Sequence, residues 1–152
     1  MKRLLVILIA LSFLPGCRKD GPSVEDFTFS PCISTYSEVV SLSLLDLKYE
    51  NGDLRVTRSD AWLNCSLRDR GLACSVSVRG NDIYYKVDYE KEGQETNCNC
   101  LIENMTSLVK GLQEGRRYSF HYYCCGNYIP FYFVFEKGLV QIVDVSTLLP
   151  QE

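Results

Sequence analysis

Residues 98–125 read CNCLIENMTSLVKGLQEGRRYSFHYYCC, and this stretch decides the fold of the chain. Two runs rich in apolar side chains, residues 101–109 and 118–125, flank a corner that begins at Gly111 and ends at Gly115. Glycine adopts positive φ without steric cost, so paired glycines between such runs indicate a turn. The stretch therefore predicts two β-strands joined by a tight corner, with cysteines at the far end of each strand.

The rest of the chain adds short strands of the same kind. Residues 72–78 and 83–89 alternate apolar and polar side chains, which is the period of a half-buried strand. Asn51-Gly52 is a hairpin signal because both residues accept positive φ. After the N-terminal segment there is no helical periodicity of useful length. These features predict one all-β domain over residues 31–148, a sandwich of about 7–9 antiparallel strands, followed by a tail at 149–152.

Residues 107–120 resemble the E–F corner of immunoglobulin and fibronectin type III domains. In those domains an inward leucine, a glycine and a tyrosine mark the crossing of the chain from one sheet to the other. Leu112 and Tyr118 stand at the positions of the apolar plug and the tyrosine of that corner. The resemblance implies that the predicted β-sandwich is immunoglobulin-like.

The N-terminus has the pattern of a secretory signal. Lys2 and Arg3 precede an apolar run over residues 4–14, and a small residue precedes the expected cleavage point. The run is too short to span a bilayer, which requires about 20 apolar residues. Cleavage of residues 1–16 takes the formal charge from −3 to −5, because it removes two of the 16 basic residues and no acidic residue. A modestly acidic domain without a basic stripe is a poor match for nucleic acid, so we expect no nucleic-acid partner.

Leu14-Pro15-Gly16-Cys17 resembles the lipobox of bacterial lipoproteins. The resemblance implies that Cys17 is acylated and becomes the first residue, that the lipid bilayer is its partner, and that residues 17–30 form a lipidated, flexible tether. Several acyl chains on one residue anchor a protein stably. More loosely, the mature chain resembles small cysteine-containing lipoproteins of Gram-negative gut bacteria. That likeness implies the outer membrane, with the domain facing the periplasm or the cell surface, and it implies no activity.

With Cys17 acylated, seven cysteines remain, and export places them in an oxidising compartment that favours disulfides. An odd number leaves at least one thiol free or paired with another chain. In a strand Cys98 and Cys100 point to one face, where a bridge between them is strained, so they are expected to bridge to Cys65 or to the cysteines at 124 and 125. The connectivity stays open among the candidates, which are Cys32, Cys65, Cys74, Cys98, Cys100, Cys124 and Cys125.

The same sulfurs allow a second interpretation, a soft-metal site for zinc or copper(I). Its ligands are four of Cys98, Cys100, His121, Cys124 and Cys125. The oxidising compartment, the single histidine and the spacing of the cysteines favour disulfides instead. We therefore expect no metal and no cofactor, and keep a cysteine-dependent metal-handling or redox lipoprotein as the alternative.

Catalytic machinery is not expected. Ser119, His121 and Cys125 share one face of a predicted strand, but neighbours at that spacing lie ~7 Å apart, too far for a nucleophile and its base. The carboxylates that could pair, Asp82 with Asp88 or Glu90 with Glu92, stand on turns and a charged loop without a cleft signal. The sequence predicts a protein that is not an enzyme.

The remaining feature is aromatic. Tyr123, Tyr128, Tyr132 and His121 are expected on one outward face, where tyrosines anchor protein partners or stack on sugars. We favour coverage of this face by the strand over residues 139–145 or by a loop, because exposed apolar patches are uncommon. The sequence thus predicts a disulfide-stabilised, membrane-anchored module for binding or assembly, with a protein or glycan partner. If the partner is a glycan, the protein is a glycan-binding accessory protein.

Overall fold

The computed structural model of the chain describes residues 21–33 and 42–146. The signal segment 1–16, the lipidation residue Cys17 and the tail 149–152 lie outside the described residues. The described part has nine strands and one short helix, which are β1 (Ser23–Phe29), β2 (Leu44–Glu50), β3 (Asp53–Asn64), α1 (Leu67–Arg70), β4 (Leu72–Arg79), β5 (Asp82–Tyr89), β6 (Asn99–Lys110), β7 (Arg116–Cys124), β8 (Asn127–Phe135) and β9 (Val140–Asp144).

The strands form two sheets that pack face to face. One sheet has five strands in the order β1-β6-β3-β2-β9, and the other has four in the order β4-β5-β7-β8. The inner faces supply one continuous apolar core, from Leu45, Leu47 and Leu54 on the first sheet to Ile83 and Phe120 on the second. The predicted all-β sandwich is confirmed, and nine strands lie within the expected number.

One pairing departs from the expected antiparallel arrangement. β5 and β7 are hydrogen-bonded neighbours that run parallel, with Asp82 opposite Ser119 and Val87 opposite Cys124. The chain leaves β5 for the other sheet, forms β6 there, and returns to form β7. A crossover through the opposite sheet brings the returning strand back in the same direction, so the parallel pair follows from the corner at residues 111–115.

The corner itself has the predicted construction. β6 ends in the five-stranded sheet and β7 begins in the four-stranded sheet, so the chain changes sheet here. Gly111 and Gly115 have φ of 80° and 78°. Leu112 is buried, and the buried Tyr118 accepts a hydrogen bond at its hydroxyl from the backbone N–H of Gln113, at 2.9 Å. Leu112 and Tyr118 therefore have the roles that the resemblance implied.

Tyr118→Phe is expected to lower the free energy of unfolding by about 1 kcal/mol, because it keeps the ring but leaves the Gln113 N–H without its acceptor. Urea unfolding followed by fluorescence measures the change. Tyr132→Phe is the control, since Tyr132 is 61% exposed. Equal stabilities for the two variants would contradict a structural role for the corner hydrogen bond.

The N-terminal segment differs from the sequence expectation. The sequence predicts a flexible tether over residues 17–30, but Ser23–Phe29 forms β1 and pairs with β6. The register shifts between Glu25 and Thr28, and Asp26 has a φ of 52°. This bulge interrupts the alternation of apolar residues, so the strand has no clean period of two in the sequence.

Candidate functional site

Two disulfides tie the described strands together at one end of the sandwich. Cys65 follows β3 and Cys98 precedes β6, and the ladder that pairs Asn64 with Asn99 brings their Cα atoms to 5.4 Å. The second disulfide joins Cys32 to Cys100, with Cα atoms 5.5 Å apart. Of the alternatives left open by the sequence, the structure has the bridge to Cys65, made by Cys98, whereas the partner of Cys100 is Cys32 of the N-terminal segment and neither Cys98 nor Cys100 bridges to Cys124 or Cys125.

Cys74, Cys124 and Cys125, which were also disulfide candidates, carry free thiols. Cys74 lies opposite Val87, and Val87 lies opposite Cys124, so a whole strand separates the two cysteines. Two strand spacings amount to about 9–10 Å, beyond the reach of a disulfide.

The structure does not assemble the metal-ligand set considered from the sequence. Cys98 and Cys100 are in separate disulfides, His121 lies on the outer face of the four-stranded sheet, and Cys124 is buried on the inner face. Three sulfurs, those of Cys32, Cys65 and Cys100, lie within 4.8 Å of one another. All three are already bonded in disulfides, so they are not available as thiolate ligands.

A buried arginine is the unexpected feature of the core. Arg58 lies on the inner face of β3 and is 2% exposed. Its guanidinium donates to Ser43 Oγ at 3.1 Å and to the hydroxyl of Tyr122 at 3.4 Å. Within residues 21–33 and 42–146 no carboxylate lies within ion-pair distance of it. A buried cation needs an anionic partner, and the candidate that the core offers is the sulfur of Cys124.

The sulfur of Cys124 is suited to that role. A hydrogen bond from Cys125 and the charge of Arg58 lower the pKa of the Cys124 thiol to about 6, against the opposing effect of burial. The pKa of Cys125 is raised, because its proton is held in the hydrogen bond to Cys124 and because it is buried. The lowered pKa favours the thiolate form of Cys124, and the charge of Arg58 is one of its causes.

The second candidate site is the outer face of the four-stranded sheet. We call it the tyrosine face and define it by Tyr84, His121, Tyr123, Tyr128 and Tyr132. Ring centroids are 4.6 Å apart for Tyr84 and His121, 6.0 Å for His121 and Tyr128, and 4.7 Å for Tyr123 and Tyr128. These three pairs are stacked, so four rings form one row across β5, β7 and β8.

Three of the four residues predicted for an outward patch, His121, Tyr123 and Tyr128, are in this row. The fourth, Tyr132, lies on the same face of β8, where the guanidinium of Arg117 is 5.1 Å from its ring centre. Sequence reasoning missed Tyr84, although its place in the alternating run 83–89 indicates an outward position. Tyr128 and Tyr132 are 44% and 61% exposed.

The strand expected to cover this face does not do so. β9 pairs with β2 at the edge of the five-stranded sheet, on the other layer of the sandwich. In the part of the chain that the structure describes, the strands make only two layers, and the tyrosine face is the outside of one of them. The favoured expectation of coverage by residues 139–145 is wrong.

His121 has more contacts than the sequence predicted. Its Nε2 lies 3.1 Å from Ser119 Oγ and 3.3 Å from Asp82 Oδ1, and its Nδ1 lies 2.8 Å from the Tyr128 hydroxyl. The expectation that Ser119 is too distant is therefore wrong, because the two side chains lean together on one face of β7. The arrangement still differs from a catalytic triad, in which serine and carboxylate occupy different ring nitrogens. Here both face the same nitrogen, and the contacts hold the ring in the aromatic row.

A groove of about 640 Å³ runs beside the row, along β4 and β5. Small side chains on β4 leave this space next to the large rings of Tyr84 and Tyr123. The rim carries two cations, Arg79 and Lys86, and Lys86 is paired with Asp88 at 2.7 Å. The lining residues are Ser75, Val76, Ser77, Arg79, Tyr84, Lys86 and Tyr123.

Comparison of the chain with protein-family models, with curated proteins and with solved structures gives no match. None of the described residues belongs to a helix long and apolar enough to cross a membrane. Function is therefore inferred from the residues of this chain.

Proposed function

We propose that the chain is an exported lipoprotein, anchored in the outer membrane by acylated Cys17, that acts as a non-catalytic module for binding or assembly. The observation that carries the binding role is the outward-facing row of stacked rings on the tyrosine face, in which Tyr128 is exposed and the other three rings are half-buried. The anchor is supported by the lipobox-like residues 14–17 and by the signal pattern before them. Two disulfides are compatible with a domain that works outside the cytosol.

The row of rings is suited to recognition because it is already ordered. Mutual stacking and the hydrogen bond between His121 and Tyr128 fix side chains that otherwise lose rotamer freedom on binding. Ordering of side chains costs about 0.5–1.5 kcal/mol for each one immobilised at an interface, so a preformed row saves part of that cost. Tyrosine is also among the residue types that dominate binding energy in protein interfaces.

The geometry favours a protein partner over a sugar on the row itself. Stacked rings present edges and hydroxyls, because their faces are occupied by one another. A sugar ring needs an open aromatic face. The groove is the place that suits a glycan, since serine hydroxyls and two cations lie there beside Tyr84 and Tyr123. Glycan binding in the groove is therefore the second candidate function.

A photo-crosslinking amino acid at position 132 tests the proposal in the full-length protein in its own membrane. We expect a specific protein adduct that disappears when Tyr128→Ala is added. The matched control is the same amino acid at position 142, because Ile142 is also 61% exposed but lies on the five-stranded sheet. In parallel, Cys17→Ser is expected to remove the lipid mass and release the chain from the membrane fraction.

The two arms contradict different parts of the proposal. Equal adducts from positions 132 and 142 would overturn the binding role of the tyrosine face. If Cys17→Ser retains the lipid mass and stays in the membrane fraction, the proposed anchor is overturned. A glycan array with the purified mature protein tests the second candidate, and binding that survives Tyr84→Ala would exclude the groove.

A further inference from the structure

The row of stacked rings ends at Tyr84, and one face of that ring carries no second ring. Tyr84 stacks on His121 of β7, with ring centroids 4.6 Å apart and ring planes 10° from parallel. On its other side the register places Ser77 of β4, the edge strand of the four-stranded sheet. Among the described residues no other aromatic ring stacks on Tyr84. Its free face therefore borders the groove along β4 and β5.

Arg79 is the cation of the groove that has no acidic partner. In the part of the chain that the structure describes, no carboxylate lies within ion-pair distance of its guanidinium, whereas Lys86, the other cation, is paired with Asp88. The guanidinium of Arg79 lies 5.7 Å from the centre of the Tyr84 ring. This distance is close to the limit of about 6 Å for a cation–π contact. Arg79 therefore stands beside the free ring face without packing on it, and its N–H donors stay available.

The surroundings of Arg79 leave room for an anion. Asp82 stands opposite Arg79 in the ladder, but its Oδ1 lies 3.3 Å from Nε2 of His121, on the side of β7. On the side of the groove, Ser75 and Ser77 are short, exposed and uncharged. The space beside them is about 640 Å³, and pockets for small ligands typically have about 300–1,000 Å³. The groove thus joins an open aromatic face, two hydroxyls and one unpaired guanidinium.

We propose that the groove binds a saccharide that carries a carboxylate, a uronic acid, with its sugar ring on the free face of Tyr84 and its carboxylate on Arg79. An aromatic face is apolar and suits the C–H face of a sugar ring. A guanidinium presents two parallel N–H donors that match the two oxygens of a carboxylate. The hydroxyls of Ser75 and Ser77 can each donate to and accept from sugar hydroxyls. This inference rests on the groove named above as the second candidate function, and it adds the class of sugar that the groove takes.

Charge separates an acidic sugar from a neutral one in this groove. The chain has a formal net charge of −3, so its overall field does not attract anions, and binding of an acid depends on the local cation. One unpaired guanidinium matches the single carboxylate of a uronic acid. A neutral sugar leaves the donors of Arg79 to water and gains only the contacts with Tyr84 and the serine hydroxyls. The acidic sugar is therefore expected to bind more tightly than a neutral sugar of the same linkage.

Arg117 supplies a matched control. It lies on the same outer face, where its guanidinium is 5.1 Å from the ring centre of Tyr132. Like Arg79, it has no ion pair with a carboxylate of the described residues. It belongs to β7, and it is not among the residues that line the groove. An acid attracted to surface arginines in general depends on both residues, whereas an acid bound in the groove depends on Arg79 alone.

The test is calorimetric titration of the purified full-length mature protein with oligosaccharides of galacturonic, glucuronic and mannuronic acid. Each is compared with its carboxyl-reduced counterpart, which keeps the linkage and loses the charge. We expect at least one acid to bind about tenfold more tightly than its reduced form, because hydrogen bonds to a charged group are the stronger kind. Arg79→Gln is expected to bring the two affinities together, and Arg117→Gln to leave the difference unchanged. Tyr84→Ala should weaken both ligands, whereas Tyr84→Phe keeps the ring and should bind as the wild type does.

Four results would overturn the inference. Equal affinity for an acid and its reduced form would show that the groove does not recognise charge, and would leave glycan binding itself standing. Equal weakening by Arg79→Gln and Arg117→Gln would mean general attraction to surface arginines. A glutamate tetrapeptide that binds as tightly as the best acid would exclude selection for a sugar. Absence of binding by every acidic probe would remove this ligand class, and would leave the protein-binding role to the crosslinking test at position 132. Circular dichroism of each variant ensures that a loss of binding reports on the contact.

Discussion

Cys32→Ala/Cys100→Ala is expected to lower the free energy of unfolding by about 4 kcal/mol, the largest effect of any change outside the core arginine. The bridge joins residues that are 68 apart in sequence, and long closed loops restrict the unfolded chain most. It also fixes the N-terminal segment to β6, beside the isolated bridge between Ile33 and Leu101. Loss of this disulfide should therefore loosen β1 as well as destabilise the whole domain.

Urea unfolding with and without reductant measures the effect. Reductant should destabilise the wild type by more than the double variant, because the variant retains only the Cys65–Cys98 bridge. Cys74→Ala is the matched control, since it removes a cysteine that is free and half-buried. A wild type that unfolds at the same urea concentration in both conditions would show that the bridges do not stabilise the fold.

The elements with a clean period of two could be predicted from sequence alone. The alternation over residues 72–78 and 83–89 became β4 and β5, and the paired glycines at 111 and 115 became the change of sheet. A bridge from Cys98 or Cys100 to Cys65 was among the alternatives that the sequence left open, and the structure has it at Cys98. These features are local, because each is encoded by neighbouring residues and by the turn between them.

The rest depends on contacts between distant segments. β1 is bulged, so its apolar residues do not alternate, and only its pairing with β6 reveals it. Cys100 pairs with Cys32 because the N-terminal segment that forms β1 also brings Cys32 next to β6. Arg58 lies two residues after Val56 and four after Leu54, so the alternation along β3 predicts that its side chain points inward. An arginine normally argues for an outward face, and its partner on another sheet leaves no local signal.

Arg58→Met is expected to destabilise the protein by about 3–5 kcal/mol at pH 8, because it leaves the buried sulfur of Cys124 without its counter-charge. The hydroxyls of Ser43 and Tyr122 also lose their donor. Arg55→Met is the control: Arg55 is three residues earlier on the same strand and pairs at the surface with Glu50, at 2.6 Å. Exposed pairs contribute about 0–1 kcal/mol, so this variant should be nearly as stable as the wild type.

The cost of Arg58→Met should depend on pH, and the sign follows from the pKa of Cys124. That pKa is lowered to about 6 in the folded protein from an ordinary value of 9.0. Between these values the unfolded chain binds more protons than the folded one, so wild-type stability rises with pH, by at most about 1.4 kcal/mol per pH unit. Above pH 9 the trend reverses, because the raised pKa values of Cys125 and Cys74 keep protons on the folded chain.

A double-mutant cycle separates the ion pair from simple loss of packing. Cys124→Ala removes the charge that Arg58 neutralises, so adding Arg58→Met to it should cost less than Arg58→Met costs alone at pH 8. Residues in contact typically show coupling of about 0.5–3 kcal/mol in such cycles. At pH 5 the Cys124 thiol is protonated and the coupling should shrink toward zero. A coupling that is equal at both pH values would mean that Arg58 stabilises the core through its hydroxyl contacts and ring packing, and not through a buried thiolate.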